Sequence, residues 1–369
     1  MRIDRLDLHH IRMPLQMPFE TSFGRIITRD CILVTAYADG LIGYGECATD
    51  RDPGYSYETV KTAWHIIRDY LGPALLREWL PNAEAYQRGV RSVRGHKMAK
   101  AGLEMALWDL WGKRTNQSLK EMLGGMENRV PVGVSIGLQS TPEVLVELGG
   151  RYLDKGYGRI KIKIKPGRDV DDVRALRAAF PEVMLQVDAN SAYTLASANA
   201  LLPLDDFGLV LIEQPLAEDD LWDHSQLAPR FKTPLCLDES ITSVEHARKA
   251  VEMQACAIVN IKSGRVGGLS QGAAIHDLCL KQGVPVWCGG MLETGVGRAS
   301  NLALASMPGF KLPGDISATD RYYDEDIIEQ DFVLNTDSTI DVPHGPGLGI
   351  DVNQAALKKY SLQQLTLRA

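Results

Sequence analysis

The 369 residues include 47 acidic and 40 basic side chains, for a formal net charge of −7, with 45% hydrophobic and 24% charged positions. That composition excludes a disordered or fibrous protein, and a prior of roughly 150 residues per domain gives two domains or one large barrel with additions. Mild acidity without clustered Lys and Arg argues against nucleic acid as a partner, and no run approaches the roughly 18 apolar residues of a membrane span.

Residues 1–60 alternate short apolar runs with turns, as in Ile32-Leu33-Val34-Thr35-Ala36-Tyr37. They predict antiparallel strands, with Gly43 and Gly45 relaxing the backbone near Glu46. The first sixteen residues carry Arg2, Asp4, Arg5, Asp7 and Arg12 and lack the apolar core of a signal peptide, so a cytoplasmic location is expected. From Ser56 to Leu123 the period turns helical. Met98, Leu103, Ala106, Leu107 and Leu110 recur at i+3/i+4 spacing until Gly124-Gly125 stops the run. Residues 1–125 therefore read as an α+β capping domain.

A regular alternation follows. Eight short apolar runs lie at Val130–Gly137, Arg159–Ile164, Met184–Val187, Leu209–Ile212, Pro234–Leu237, Ala257–Ile261, Pro285–Cys288 and Leu312–Ile316. Amphipathic segments such as Asp169–Phe180 and Val244–Met253 separate most of them. Eight strand-helix units imply an α/β fold, a parallel sheet closed as a (β/α)8 barrel over residues 126–319. An open doubly wound sheet would place G-x-G-x-x-G after its first strand, and none occurs there. Residues 320–369 are expected to pack back on the cap. The six cysteines (Cys31, Cys47, Cys236, Cys256, Cys279 and Cys288) form no C-x-x-C or Cys/His pair, which reads as buried thiols and not a zinc site.

The ionisable residues keep the barrel's period. Lys163, Asp188, Glu213, Asp238 and Lys262 close the second to sixth runs, 25, 25, 25 and 24 residues apart. All five should share one height on the C-terminal rim, where barrel active sites lie. One charge ending a strand is usually a solvated cap; five in register are harder to read that way. Three converging carboxylates need a counter-charge. Mg²⁺, with Mn²⁺ as a substitute, supplies it while leaving room for water and an anionic substrate; neighbouring arginines are the alternative. In Lys161-Ile162-Lys163-Ile164-Lys165 the isoleucines would face the outer helices and the lysines the interior. Crowded ammonium groups there would depress one another's pKa and leave one a competent base. Lys163 and Lys262 would flank a metal-held carboxylate and remove the proton next to it, with the metal stabilising the enediolate.

At these residues the sequence resembles the enolase superfamily, in its muconate-lactonizing subgroup. The resemblance lies in Lys161/Lys163, Val187-Asp188-Ala189-Asn190, Ile212-Glu213-Gln214-Pro215, Leu237-Asp238-Glu239-Ser240 and Lys262-Ser263-Gly264-Arg265-Val266-Gly267-Gly268. It extends to Pro18–Gly24 and Glu104–Asp109 in the cap. Pro285–Gly295 and Leu312–Ser317 are similar to the o-succinylbenzoate synthase/N-acylamino acid racemase family, and Arg265 to its racemase-containing branch. The resemblance implies Mg²⁺ on Asp188, Glu213 and Asp238, Lys163 and Lys262 as the acid/base pair, and Lys161 assisting at the substrate carboxylate. It also implies that Ser135, Asn190, Arg265 and the backbone of Gly290–Met291 border the substrate, with Phe19 and Phe23 closing over it; a plain core role within the cap is the other reading of these two phenylalanines.

Two reactions use the same charges: dehydration to o-succinylbenzoate, a menaquinone precursor, and racemisation of N-acyl (typically N-succinyl) amino acids. Asp320 and Tyr323 stand where the family carries a small polar residue and a tryptophan. Dipeptide epimerases show Asp-x-Asp on the eighth strand, where this chain has Asp315-Ile316-Ser317. Muconate cycloisomerisation and a non-catalytic, metal-stabilised acid-binding barrel are the remaining readings. A small carboxylate is the expected partner, and the family's habit is homo-oligomeric.

Overall fold

The alternating first 60 residues fold as three antiparallel strands, β1 (Arg5–Thr21), β2 (Gly24–Ala38) and β3 (Leu41–Cys47), in a computed structural model that describes residues 1–369. Leu6, Leu8, Ile11 and Met13 of β1 and Ile32, Leu33, Val34 and Ala36 of β2 are buried. Against β3 lies the helix Lys97–Thr115, buried almost all round because it sits between the sheet and the barrel. Gly43 and Gly45 do not loosen the backbone as expected, since neither has a positive φ. They let sheet and helix touch: a Cβ on Gly45 would stand 2.1 Å from the Gly102 carbonyl oxygen and 2.6 Å from the Ala106 nitrogen. The helical stretch before it is broken. Val60–Ile66 runs through a π turn, Ile67–Leu71, into Gly72–Arg77, and Ala85–Gly89 stands alone.

The predicted run Val130–Gly137 splits at Gly133. β4 (Arg129–Pro131) turns away from the barrel, and β5 (Val134–Ile136) begins it. β6 (Arg159–Lys163), β7 (Met184–Asp188), β8 (Ile212–Glu213), β9 (Leu235–Leu237), β10 (Ile258–Ile261) and β11 (Val286–Cys288) follow in chain order as one parallel sheet of seven strands. Helices such as Pro142–Asp154, Val170–Ala179 and Leu269–Gln282 cross between them. One crossover, Ala198–Phe207, is a 3₁₀ segment containing Pro203.

The eighth predicted run forms isolated bridges and not a ladder. Phe310 bridges β11 and Gly314 bridges Val132, and Pro313 has no N–H to offer. Arg159 of β6 fastens this seam from inside. Fully buried, it donates to the carbonyls of Pro313 (2.9 Å) and Gly314 (2.7 Å) and to Asp315 Oδ1 (2.7 Å).

β12 (Thr339–Asp341) pairs with β4, and β13 (Ser361–Arg368) returns to the outer edge of β1, Arg368 opposite Arg5. Two buried carboxylates of the cap join it to the barrel. Glu46 accepts hydrogen bonds from the Thr294 nitrogen (3.1 Å) and hydroxyl (2.6 Å) and the Gly297 nitrogen (3.1 Å), at the start of helix Gly295–Ala305. Glu104 accepts from the Ser270 nitrogen (3.3 Å) at the start of helix Leu269–Gln282. Each places carboxyl oxygens where a helix leaves N–H groups unpaired. No helix is long and apolar enough to cross a membrane.

Candidate active site

Parallel pairing puts Lys163, Asp188 and Glu213 directly side by side across β6, β7 and β8. The common height expected of the five charges stops there. Glu213 pairs with Cys236, so Asp238 stands two residues farther along its strand, and Lys262 climbs again beyond β10. Tilted, staggered strands of a closed barrel produce this climb, and a step of two keeps each side chain pointing inward.

Asp188, Glu213 and Asp238 are fully buried, and each brings a carboxylate oxygen within 4.8 Å of the others. The Asn190 nitrogen donates to Asp188 Oδ1 (2.9 Å), Asn260 Nδ2 to Glu213 Oε1 (2.6 Å) and the Tyr55 hydroxyl to Asp238 Oδ1 (2.9 Å). The turns after these strands are strained. Asn190, Ser191 and Gln214 have φ of 42°, 61° and 39°, a left-handed conformation that non-glycine residues hold only under constraint. Gln214 supplies part of it, its Oε1 accepting from the Asp238 (3.0 Å) and Ser240 (3.3 Å) nitrogens.

Each ammonium faces a carboxylate. Lys163 Nζ lies 2.5 Å from Asp188 Oδ2, and Lys262 Nζ 2.7 Å from Asp238 Oδ2. Lys161 Nζ reaches Asp315 Oδ2 (2.6 Å), Glu213 Oε2 (2.9 Å) and Asp188 Oδ2 (3.3 Å). The expected repulsion between lysines is present, Lys161 lowering Lys262, but neighbouring carboxylates outweigh it. Burial pushes Lys262 down, but Asp238 holds it above its ordinary value. Burial acts likewise on Lys161, and Asp315, Glu213 and Asp188 keep it well above. Burial also drives the carboxylates up. In Asp188 the neighbouring Lys163 and Lys161 outweigh it and the pKa falls, whereas Glu213, beside Asp188, rises to about 7. Three buried carboxylates with oxygen donors only, and no His or Cys among them, fit a hard divalent cation.

A cavity lies between this floor and the cap. Lys161, Lys163, Lys262, Ser135, Asn190, Gly290 and Met291 line it from the barrel, Phe19 and Phe23 from the cap. Both phenylalanines belong to the tip of the β1–β2 hairpin, which Ser22 ties down by donating to the Asn190 carbonyl (3.0 Å). The Phe19 ring centre is 5.8 Å from Lys163 Nζ.

Arg265 does not line the cavity. Its guanidinium runs behind Asp238, pairing with Oδ1 and donating to the carbonyls of Ile241 (2.7 Å) and Asn260 (2.5 Å), so it meets a candidate metal ligand, and it borders an adjoining opening shared with Phe23, Tyr55 and Asn190. Asp320 is exposed and pairs with Lys155 (2.8 Å), and Tyr323 is buried with its hydroxyl on the Leu292 carbonyl (2.5 Å). Tyr322, unremarked in the sequence, reaches the cavity instead. Tyr55 was also missed, though it accepts from Lys262 Nζ (3.1 Å) as well as donating to Asp238. It stands in a loop without periodicity. Asp315 carried a usable signal, an acid on the eighth barrel segment, where only a buried cation could be its partner.

A barrel that sets three carboxylates between inward lysines beneath an α+β cap defines an enzyme of the enolase type. Residues 6–124 match the mandelate racemase/muconate lactonizing enzyme N-terminal domain, and residues 144–356 the enolase C-terminal domain-like family. The chain is 49% identical over 360 residues to the o-succinylbenzoate synthase of Geobacillus kaustophilus, covering 97% of this chain and 96% of that protein. It is likewise 49% identical over 351 residues to an N-succinylamino acid racemase of an Amycolatopsis species, covering 95% of each. A crystal structure of an enolase superfamily member from Listeria innocua superposes with a TM-score of 0.96 at 40% identity, covering 100% of this chain and 99% of the other. The chain belongs to the enolase superfamily, in the family of o-succinylbenzoate synthases and N-succinylamino acid racemases.

Proposed function

We propose that this chain is a Mg²⁺-dependent o-succinylbenzoate synthase, dehydrating 2-succinyl-6-hydroxy-2,4-cyclohexadiene-1-carboxylate, and that the same site racemises N-succinylamino acids. One observation carries the reading. Lys163 and Lys262 hold different carboxylates of the triad, Asp188 and Asp238, and both line one cavity, so a carbon between them is open to attack from two faces.

Asp188, Glu213 and Asp238 would hold the cation, which when bound supplies positive charge against the second negative charge developing on the substrate carboxylate. Lys161, set among Asp188, Glu213 and Asp315, steadies that carboxylate. In dehydration Lys163 takes the proton next to the carboxylate, and the electron pair of that C–H bond enters an enediolate. The pair returns as a new C=C bond when the C–O bond breaks, and Lys163 gives its proton to the departing hydroxide, which leaves as water. Lys262 stays protonated beside the enediolate, a role supported by its place in the cavity opposite Lys163, with Asp238 and the Tyr55 hydroxyl as its neighbours. In racemisation one lysine takes the α-proton and the other delivers a proton to the opposite face.

Purified protein with Mg²⁺ should dehydrate the cyclohexadiene carboxylate and exchange the α-proton of N-succinylamino acids in D₂O. Lys163→Ala should lower both rates by about 10²-fold or more. Lys262→Arg keeps a cation without an exchangeable base, so dehydration should survive better than exchange. The reverse pattern, exchange intact and dehydration lost, would sink the shared site.

A further inference from the structure

The two walls of the cavity differ in charge. On the barrel side Lys161, Lys163 and Lys262 present three ammonium groups, where the reacting carboxylate belongs. The cap side is largely apolar, built from Phe19, Phe23 and Ile26 with the Tyr55 ring, and its one carboxylate is Asp50.

That acid is fixed in place. It lies three residues beyond β3, and its carbonyl accepts a hydrogen bond from the Val60 nitrogen (2.8 Å). Arg29 grips its Oδ1. The guanidinium is itself 1% exposed and anchored on the carbonyls of Thr49 (3.0 Å) and Ala48 (2.6 Å). Oδ2 carries no hydrogen bond from the protein, and the Asp50 side chain remains 25% exposed. Asp50 also borders an outer cleft of mixed charge with Arg25, Arg51 and Asp52, so the cavity continues past it. A side chain directed at the cap would meet apolar surface along its stem and then an anionic oxygen at its tip. Long cationic side chains match that order, since their methylene stems favour apolar contact and their heads need an anionic partner.

We propose that Asp50 determines side-chain preference in the racemase reaction, favouring N-acylamino acids whose side chain ends in a cation or an N–H donor over those ending in a carboxylate. This rests on the racemase reading above. Arg29 offsets much of the Asp50 charge, so the selection rests on Oδ2, which accepts a hydrogen bond from a cation or an N–H donor and offers a carboxylate no donor in return.

The test uses the full chain with Mg²⁺ and follows α-proton exchange in D₂O by NMR. Two matched pairs serve as probes: N-succinyl-lysine against N-succinyl-norleucine, and N-succinyl-glutamine against N-succinyl-glutamate. Wild type should favour the first member of each pair by about tenfold in kcat/KM, the worth of one charge-assisted hydrogen bond. Asp50→Asn should bring both ratios toward one and raise the rate on N-succinyl-glutamate. A general loss of activity cancels in the ratios, and a misfolded variant cannot produce the gain. Equal ratios in wild type and variant would overturn the role of Asp50 and leave the racemase reading standing. Dehydration without exchange of any of the four probes would overturn the racemase reading and this proposal together.

Discussion

Glu46 has two duties that conflict. Its carboxylate completes the start of helix Gly295–Ala305, yet burial, with Glu293 close by, raises its pKa to about 7 from an ordinary 4.5. Between those two values the folded chain binds a proton that the unfolded chain has released. The contribution of this group to stability is therefore full below about pH 4.5 and is lost as pH rises through about 7. Glu46→Gln keeps an acceptor for the helix and removes the titration. Its melting temperature, measured relative to wild type, should rise from pH 5 to pH 8, and parallel curves would show that Glu46 does not titrate in this range. Asp188 and Glu213 show the same competition resolved in opposite ways. Lysines flank Asp188 and win against burial, while Glu213 shares Lys161 and stands beside the Asp188 charge. A cation brought between them would favour the ionised form of both.

At the scale of elements, β3 and helix Lys97–Thr115 are packed to backbone contact through Gly43, Gly45 and Gly102. Gly45→Ala should push them apart at a cost of about 1–3 kcal/mol. Denaturant unfolding reads this directly, and an unchanged midpoint would mean that the contact yields freely. The strand elements explain what the sequence could and could not convey. The five rim charges were legible because each ends an apolar run whose period of two fixes the inward face. Their staggered heights were not, since inter-strand register depends on closure of the whole barrel and leaves no local mark. The eighth run looked like its fellows by composition, but Pro313 interrupts its ladder, leaving isolated backbone bonds to each neighbour that Arg159 supplements from inside. Arg265 was recognised as part of a motif. Where it points depends on the short helix Ser263–Val266 that follows Lys262 and turns it behind Asp238.

Across the whole molecule, a cation shared by strands β7 and β8 and the turn after β9 would bind the folded chain far better than the unfolded one. Adding Mg²⁺ to metal-stripped protein should therefore raise its stability, by about 2.7 kcal/mol at a hundred times Kd, and chelation should lower melting temperature and both activities together. A melting temperature indifferent to Mg²⁺ would contradict a triad-bound cation. The cap enters the same balance, because its acids Glu46 and Glu104 finish two helices of the barrel. A chimera joining this barrel to the cap of another protein would need a donor with a hydrogen-bond acceptor at both places, so new substrate preferences are more readily acquired by altering loops within this cap than by exchanging it whole.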